Sequence, residues 1–400
     1  MKTNNMISIA IKLPLRYIRN AAKEYRVAKH IEKLRRQRQL SNPQGFDFME
    51  LKKNTLSFVD SMKTDTSGFR FRYSASCNVP TLYASAYACM TYSLLGELGS
   101  IDEAKKTAWL QYLDSFQNPD DGLFYDPAVA NDIYADSDWW GARHLALHMI
   151  SAYTDLGGRP RYPFKFLSPY CDRDYIKNWL DGQNWETNEI GLDDIDNKIM
   201  NIGCLLQYQR DRWNDASAGR AVAFLKAYLL EKINPETGIW GKFDANEPNQ
   251  RSRFIQFAYH LLPLYFFDGY YDFYHERIVE LTLQTQNKMG GYGVMMNSSA
   301  CEDIDSADIL VRFSPYVSDR LRDKIGTSIE RNLEWICLNQ VEDGGFVFRL
   351  HEPLQYGHSE MESGANQGAM FPTWFRTLCI ARIFQGNSSF EINRASGLVF

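Results

Sequence analysis

The amino-acid sequence predicts an all-α protein folded as an (α/α)6 toroid, a double ring of six inner and six outer helices. A turn in which an aromatic residue follows a glycine within three positions recurs six times, at intervals of 53 to 60 residues. Each interval contains two stretches with apolar residues three and four apart, which is the helical period, and convincing strand patterns are few. One stretch of each pair is amphipathic and charged and the other is largely apolar, so the apolar stretches should form the inner ring.

The six turns define the repeats. Their glycines are Gly68 (TDTSGF), Gly122 (NPDDGLF), Gly182 (LDGQNW), Gly238 (NPETGIW), Gly291 (NKMGGY) and Gly345 (VEDGGF). The outer-helix pattern comes before each turn, as in IDEAKKTAWLQYLDSF, and the inner-helix pattern follows it, as in FIQFAYHLLPLYFF. We therefore expect the toroid over residues 42–386, with a basic helical arm over residues 1–41 and a tail over residues 387–400.

The arm differs from the rest of the chain in charge. Residues 1–40 contain eleven Lys and Arg and two Asp and Glu, a balance of +9, so the remainder of the chain carries −14. Ile, Leu, Tyr and Val recur among these cations at roughly helical intervals. Such a helix could bind an anionic membrane surface, or it could pack on the acidic body of its own chain. The acidic body argues against nucleic acid as a partner.

Cysteine usage and hydropathy predict the compartment. Seven cysteines without a C-x-x-C pair suit reduced thiols, no run of 18 apolar residues occurs, and the N-terminus lacks a signal-peptide pattern. We expect a cytoplasmic protein, held at the inner face of the membrane if the arm binds lipid.

Three of the turns resemble those of a known superfamily. The segments FQNPDDGLF, LNQVEDGGF and QTQNKMGGY are similar to the Gln/Gly/aromatic turns of the terpenoid cyclase and protein prenyltransferase toroids. This resemblance covers nearly the whole chain and implies the same ring of helices. The C-terminal stretch also resembles uncharacterised cyclase-like proteins of bacterial surface-polysaccharide loci.

Pairs of aspartates follow three of the turns at nearly equal distances. The Asp-x-Asp triplets begin 14, 12 and 12 residues after their glycines. Since the starts of the inner helices should meet at one mouth of the toroid, we expect these acids to form a ring of carboxylates. The ring would comprise Asp136, Asp138, Asp194, Asp196, Asp303 and Asp305, joined by Asp193 and Asp308. Helix capping is the simpler explanation, because aspartate is a favoured N-cap, but it explains single acids better than pairs.

Crowded carboxyls beside an apolar wall predict acid catalysis. They cannot all ionise, so one should keep its proton near neutral pH and serve as a general acid. The segment Asp303-Ile304-Asp305-Ser306 resembles the D-x-D-D motif of class II terpenoid cyclases, with Ser306 in place of the last aspartate. The resemblance implies that Asp305 protonates an isoprenoid or lipid-linked substrate, while Asp303 and Asp308 tune its proton affinity.

Aromatic and basic residues of the inner helices are expected to line the cavity, although core packing would explain any one of them. They are Tyr83, Trp139, Trp140, Arg143, His144, Trp374 and Arg376. Such a cavity could stabilise a carbocation or stack on sugar rings. The rival prediction is therefore a glycoside hydrolase of surface polysaccharide metabolism, with Asp138 or Asp196 opposite Asp305. A non-catalytic, membrane-associated binding or assembly protein is the third.

No organic cofactor is predicted, since neither a Walker loop nor a G-x-G-x-x-G after a strand occurs. DDIDN at 193–197 is similar to the D-D-x-x-D motif of class I terpene synthases and admits Mg²⁺ at the acidic ring. His144 and His148 have a spacing that can bind zinc. The Asp-x-Cys pair of protein prenyltransferases does not occur, so we prefer core or cavity-lining histidines. Carbocation chemistry requires a sealed cavity, for which residues 349–366 are the predicted lid and a homodimer partner is the alternative.

Overall fold

The computed structural model describes residues 21–37, 47–129, 141–185, 194–244 and 246–384, and nearly all regular structure in these ranges is helical. The first helix, α1, covers residues 21–37. The outer helices are α2 (Phe48–Ser61), α4 (Glu103–Asp114), α6 (Arg173–Asp181), α8 (Ala216–Glu231), α11 (His275–Leu283) and α13 (Asp319–Cys337). The inner helices are α3 (Leu82–Leu94), α5 (Ala142–Asp155), α7 (Ile195–Trp213), α9 (Pro248–Leu261) with its continuation α10 (Pro263–Phe266), α12 (Ala300–Phe313) and α14 (Met370–Ile383).

The inner helices form a closed ring. Each packs on the next in the order α3, α5, α7, α9, α12 and α14, and α14 packs on α3 again. All 13 residues of α3 are buried, whereas α13 buries eight of its 19 residues along one stripe, so the layers differ as their apolar patterns predict. The predicted (α/α)6 toroid is confirmed.

The glycine turns set each repeat against the following one. Gly344 has φ +87°, and a Cβ atom there would lie 2.3 Å from the carbonyl oxygen of Asn54 in α2. Only glycine therefore fits this contact, which joins the last repeat to the first. In the two Gly-Gly turns the residue with a left-handed conformation is the first glycine of the pair, Gly290 or Gly344. The glycines that defined these repeats in the sequence, Gly291 and Gly345, are the second of each pair.

One predicted turn differs from the others. Gly182 has φ −74° and ends α6 in a right-handed conformation. It therefore does not adopt the left-handed conformation found at the glycines of the other turns.

A glutamine just after each of three outer helices makes hydrogen bonds across the seam, the contact between one repeat and the next. Gln340 Nε2 donates to the carbonyl oxygens of Gly344 (3.0 Å) and Leu51 (3.1 Å). Gln117 and Gln286 make the same two kinds of bond, one to their own turn and one to the following repeat. Because Leu51 belongs to α2, the Gln340 bond closes the ring.

Helix α1 packs on the toroid. Its Val27 and Ile31 are fully buried, and Lys23 Nζ pairs with a Glu352 carboxylate oxygen at 2.7 Å. For the described part of the arm, packing on the chain's own body is therefore what the structure shows. Residues 1–20 lie outside the described residues. Across the described ranges, no helix combines the length and the apolar character needed to cross a membrane.

Candidate active site

Polar side chains meet where the inner helices begin. Tyr83 is the second residue of α3, His144 the third of α5 and Asp196 the second of α7. Three hydrogen-bonded pairs join neighbouring inner helices: Tyr83 with His144 (2.8 Å), Asp196 with Arg253 (2.7 Å) and Asp303 with Arg376 (2.8 Å). The predicted site residues outside the described ranges are Asp136, Asp138, Trp139, Trp140 and Asp193.

The cap of α12 does not use the aspartate pair. Ser299 Oγ accepts from the Glu302 N–H (3.2 Å), and the Glu302 carboxylate accepts from the Ser299 N–H (2.7 Å), which makes a capping box. Asp194, the N-cap residue of α7, makes no capping bond with its side chain. Capping therefore leaves Asp303 and Asp305 unexplained.

Asp303 is a buried structural carboxylate. It accepts hydrogen bonds from Arg376 Nη1 (2.8 Å), Trp335 Nε1 (2.9 Å), Asn332 Nδ2 (3.0 Å) and the Tyr292 N–H (3.0 Å). Arg376 also donates to three backbone carbonyl groups. The structure thus gives both residues a role in joining α12, α13 and α14, in place of the predicted tuning of Asp305 and lining of the cavity.

Asp308 is also held by cations. Its side chain is fully buried, with Arg312 Nε at 2.8 Å and Arg382 Nε at 3.1 Å. Two of the three predicted catalytic acids are therefore in buried ion pairs, which leaves Asp305 as the acid to consider.

Asp305 has no such partner. Its side chain is 1% exposed, and Oδ1 accepts no hydrogen bond from the described residues. Burial raises the pKa of Asp305 well above its ordinary value; Glu302, Asp196 and Asp308 raise it further, and Arg253 opposes them. This environment favours the protonated form of the carboxyl group.

Asp196 is in the opposite state. Arg253 holds both of its oxygens at 2.7 Å, and His260 Nδ1 lies 2.7 Å from Oδ2. Burial alone would raise the pKa of Asp196, but Arg253 and His260 outweigh it and hold the pKa below its ordinary value. When Nδ1 of a neutral His260 donates its proton to this carboxylate, the lone pair of the imidazole is on Nε2. The His260 side chain is 19% exposed.

These two acids act on one guanidinium group. Arg253 binds Asp196 directly, and Asp305 and Asp194 both raise the pKa of Arg253 against the effect of burial. Asp194 lies 3.8 Å from Arg253. The pKa of Asp194 is itself raised, mainly by burial and then by the charge of Asp196. Two carboxyl groups whose pKa values are shifted in opposite directions, on nearby helices, are the kind of pair that acid–base catalysis uses.

Sequence analysis did not find Arg253 and His260. They are seven residues apart on α9, which is two helical turns, and therefore lie on one face of this inner helix. That spacing of polar residues on an inner helix was the available signal.

Aromatic rings fill the other half of the ring end, beside α14, α3 and α5. Tyr87 stacks on Trp374 at 5.2 Å, and Tyr356 stacks on Phe371 at 4.3 Å. Tyr356 follows strand β1 (Leu354–Gln355), which pairs antiparallel with β2 (Glu362–Ser363). The predicted lid segment thus places an aromatic side chain inside the ring. Acids and aromatics occupy opposite sides of the ring end, whereas an acidic rim above a deep aromatic floor was expected.

The two histidines of α5 connect these halves. His144 Nε2 lies 3.3 Å from His148 Nε2, and both side chains are buried. Burial lowers the pKa of His148 to about 3, and burial, His148 and His260 together lower the pKa of His144. Both imidazoles are therefore neutral.

Arg143 contacts the outer layer instead of lining the cavity. Its Nη1 donates to Tyr170 Oη (3.1 Å), and its guanidinium group lies 5.3 Å from the centre of the Phe166 ring. Both partners belong to the short 3-10 helix Lys165–Cys171 that precedes α6. This position departs from the prediction.

A metal site is not assembled in the described ranges, where no three His, Cys, Asp or Glu residues are grouped to hold an ion. Arg253 occupies both oxygens of Asp196. The Mg²⁺ expectation for 193–197 thus has no carboxylate available among the described residues beyond Asp194.

Comparison with known proteins shows low similarity. No protein-family profile and no curated protein matches the sequence. A glycoside hydrolase family 76 α-1,6-mannanase from Salegentibacter sp. is 12% identical, with 84% of this chain and 98% of that chain covered and a TM-score of 0.42. A family 76 α-mannanase from Bacteroides thetaiotaomicron is 11% identical (85% and 96% covered, TM-score 0.45), and a polysaccharide lyase is 11% identical (92% and 99%, TM-score 0.40). At these values the likeness assigns no family and no activity to this chain. Its own geometry defines an α/α toroid whose inner ring buries a cluster of acidic and basic side chains.

Proposed function

We propose that this protein is a carbohydrate-active enzyme that works by general acid–base catalysis at the inner-ring end. The observation that carries the proposal is the contrast between two buried acids that act on Arg253: the pKa of Asp305 is raised, and the pKa of Asp196, which Arg253 binds, is lowered. Asp305 is the acid. His260, oriented by Asp196, is the base.

The proposed reaction is hydrolysis of a glycosidic bond. Asp305 donates its proton to the glycosidic oxygen while the bond from that oxygen to the anomeric carbon breaks. A water oxygen bonds to the same carbon, and its proton passes to His260 Nε2. Asp305 is then a carboxylate and His260 an imidazolium ion, and proton exchange with solvent restores both.

The polar half of the site favours a sugar over an isoprenoid. Burying hydrogen-bonding groups against a hydrocarbon without new partners is unfavourable, whereas sugar hydroxyl groups can bond to them. Tyr87 and Trp374 offer apolar faces to the sugar ring.

Access to the acid requires movement. Because Asp305 is 1% exposed, a substrate reaches it only when the side chains above it shift. The segment 349–366, whose Tyr356 occupies the ring, is the proposed moving part.

The test is turnover by Asp305→Asn and His260→Asn variants on a panel of oligosaccharides. Each variant should remain folded and reduce the rate by about 10²–10⁴-fold. Asp323→Asn, which changes an exposed acid of α13, is the matched control and should keep the wild-type rate. Full turnover by both site variants would contradict the proposal.

Proton-initiated isoprenoid chemistry is the second candidate. Its support is the dry, protonated Asp305 together with the aromatic half of the ring. Cyclisation of an isoprenoid, lost in Asp305→Asn and retained in His260→Asn, would favour it, because only the hydrolase needs the base. Ligand binding without turnover of either class would favour the non-catalytic alternative.

A further inference from the structure

A second cavity lies on the outer wall of the toroid, away from the acid–base centre. It has a volume of about 440 Å³, within the range of roughly 300–1,000 Å³ that small-molecule sites occupy. Its walls come from α2, the Gly68 turn, the end of α3 and the start of α4. It therefore occupies the seam between the first two repeats.

The floor of this outer-wall cavity is apolar. Its accessible apolar surface comes from the half-buried lining residues Leu56, Phe69 and Ile101. Tyr92 and Trp109 also belong to the lining, but they are 6% and 2% exposed and add little surface. Tyr92 Oη donates to Asp60 Oδ1 (2.6 Å).

The rim of the cavity is charged, but its charges are paired. Asp60 also accepts from Lys63 Nζ at 2.6 Å, and Asp102 lies 3.8 Å from Lys105. The other two carboxylates of the lining have cations just beyond it: Glu97 pairs with Lys52 (3.1 Å) and Asp65 with Arg70 (3.6 Å). The rim thus presents donors and acceptors side by side without excess charge, so it does not select an ion.

An apolar floor below a rim of mixed donors and acceptors fits an uncharged ring molecule with one apolar face and hydroxyl groups along its edge. We propose that the outer-wall cavity is a non-catalytic binding site for a neutral sugar unit of a polysaccharide. It rests on the proposed carbohydrate function, and it would hold a polymer on the protein surface while another part of that polymer enters the ring.

The experiment fills the cavity from two exposed positions of its lining. Ser100 and Thr66 line it and are exposed, so Ser100→Trp and Thr66→Trp place an indole inside. Gln111→Trp, at an exposed position of α4 outside the lining, is the matched control. Binding of the full-length protein to soluble dextran, mannan and galactan is measured by calorimetry, and turnover of short oligosaccharides is measured in parallel.

The expected result is at least a tenfold loss of affinity for one of these neutral polysaccharides in both cavity variants. Gln111→Trp should bind as the wild type does, and all three variants should turn over short oligosaccharides equally. Wild-type binding by the cavity variants, or no binding of a neutral polysaccharide by the wild type, would overturn the proposal. Asp305→Asn tests the catalytic proposal independently: it should lose turnover and keep polysaccharide binding.

Discussion

Two aspartates, two residues apart on α12, are in opposite environments. Two residues rotate a helix by about 200°, so Asp303 and Asp305 are on opposite faces. Asp303 contacts Trp335 and Arg376 of the neighbouring helices and is saturated by donors. Asp305 interacts across the other face with Arg253 and has no ion-pair partner among the described residues. Their substitutions should therefore have different consequences.

Asp303→Asn should destabilise the protein strongly. It removes the charge that balances the fully buried Arg376, and breaking a buried pair in this way lowers the free energy of unfolding by about 3–5 kcal/mol. Asp305→Asn removes no ion pair and should change it by less than about 1 kcal/mol at pH 4. Denaturant unfolding of both variants measures the difference, and equal losses would show that Asp303 has no special structural role.

The contribution of Asp305 to the free energy of unfolding should also depend on pH. The pKa of Asp305 is raised in the folded state, so its contribution is fully present below the unfolded pKa of about 3.9 and is lost as the pH rises through the folded pKa. Within that window, the wild type should lose about 1.4 kcal/mol per pH unit relative to Asp305→Asn. Denaturant unfolding from pH 4 to pH 8 measures this slope, and parallel curves for the two proteins would contradict the raised pKa.

At the scale of elements, the glycine turns are the joints between repeats. Gly344 combines a left-handed φ with a close approach to Asn54, and the adjoining glutamine bonds cross the same seam. This explains why a short motif recurs in a chain whose other residues vary between repeats. The motif holds the ring together and says little about chemistry.

Gly344→Ala should lower the free energy of unfolding by at least about 1–3 kcal/mol, since it forces an L side chain into a left-handed conformation and into the Asn54 backbone. Gly326→Ala is the control. Gly326 lies within α13, where an added Cβ atom would meet no neighbouring atom within 4 Å, so this variant should gain about 1 kcal/mol of helix stability. Thermal unfolding compares the two variants, and similar shifts in Tm would contradict the role of Gly344 in joining the last repeat to the first.

Helix α1 buries one face and leaves a basic face outward. The exposed cations Arg26, Lys29, Lys33 and Arg36 are spaced three, four and three residues apart, which places them on one stripe. Membrane binding by the arm stays a prediction, and the docked helix would meet a lipid surface through these charges.

Changing all four cations of this stripe to Glu should abolish binding of the full-length protein to vesicles containing phosphatidylserine, as should deletion of residues 1–40. Each Lys or Arg near an anionic surface contributes about 1 kcal/mol, so wild-type binding should also weaken with salt. Charge reversal of Lys105 and Arg320, exposed cations elsewhere on the toroid, is the control. Unchanged vesicle binding by the stripe variant would remove the membrane prediction.

At the scale of the molecule, the ring has no terminal repeat. α14 packs on α3, and the Gln340 side chain joins the last turn to α2. In an open array of repeats the ends lack neighbours and open first. A closed ring gives the first and last inner helices the same packing as the others, and this rigid wall holds the acid–base centre.

Hydrogen exchange should therefore give α3 and α14 protection close to that of α7 and α9, near the free energy of global unfolding. Gln340→Ala should reduce protection at the α2 and α14 seam, and Gln117→Ala should reduce it at its own seam by a similar amount. Fast exchange of α3 and α14 in the wild type would show that the ring opens there.

Local patterns in the sequence determined the toroid, the division into inner and outer helices and the candidate acid Asp305, because helical period and turn spacing are properties of neighbouring residues. Only the tertiary structure decided which acids are paired. Asp303 meets Arg376 across 73 positions and Asp196 meets Arg253 across 57, so their ionisation depends on which helix faces meet. The opposite pKa shifts of Asp305 and Asp196 and the contact of Asp196 with His260 are therefore products of packing, since a carboxyl group's charge is set by its neighbours in space.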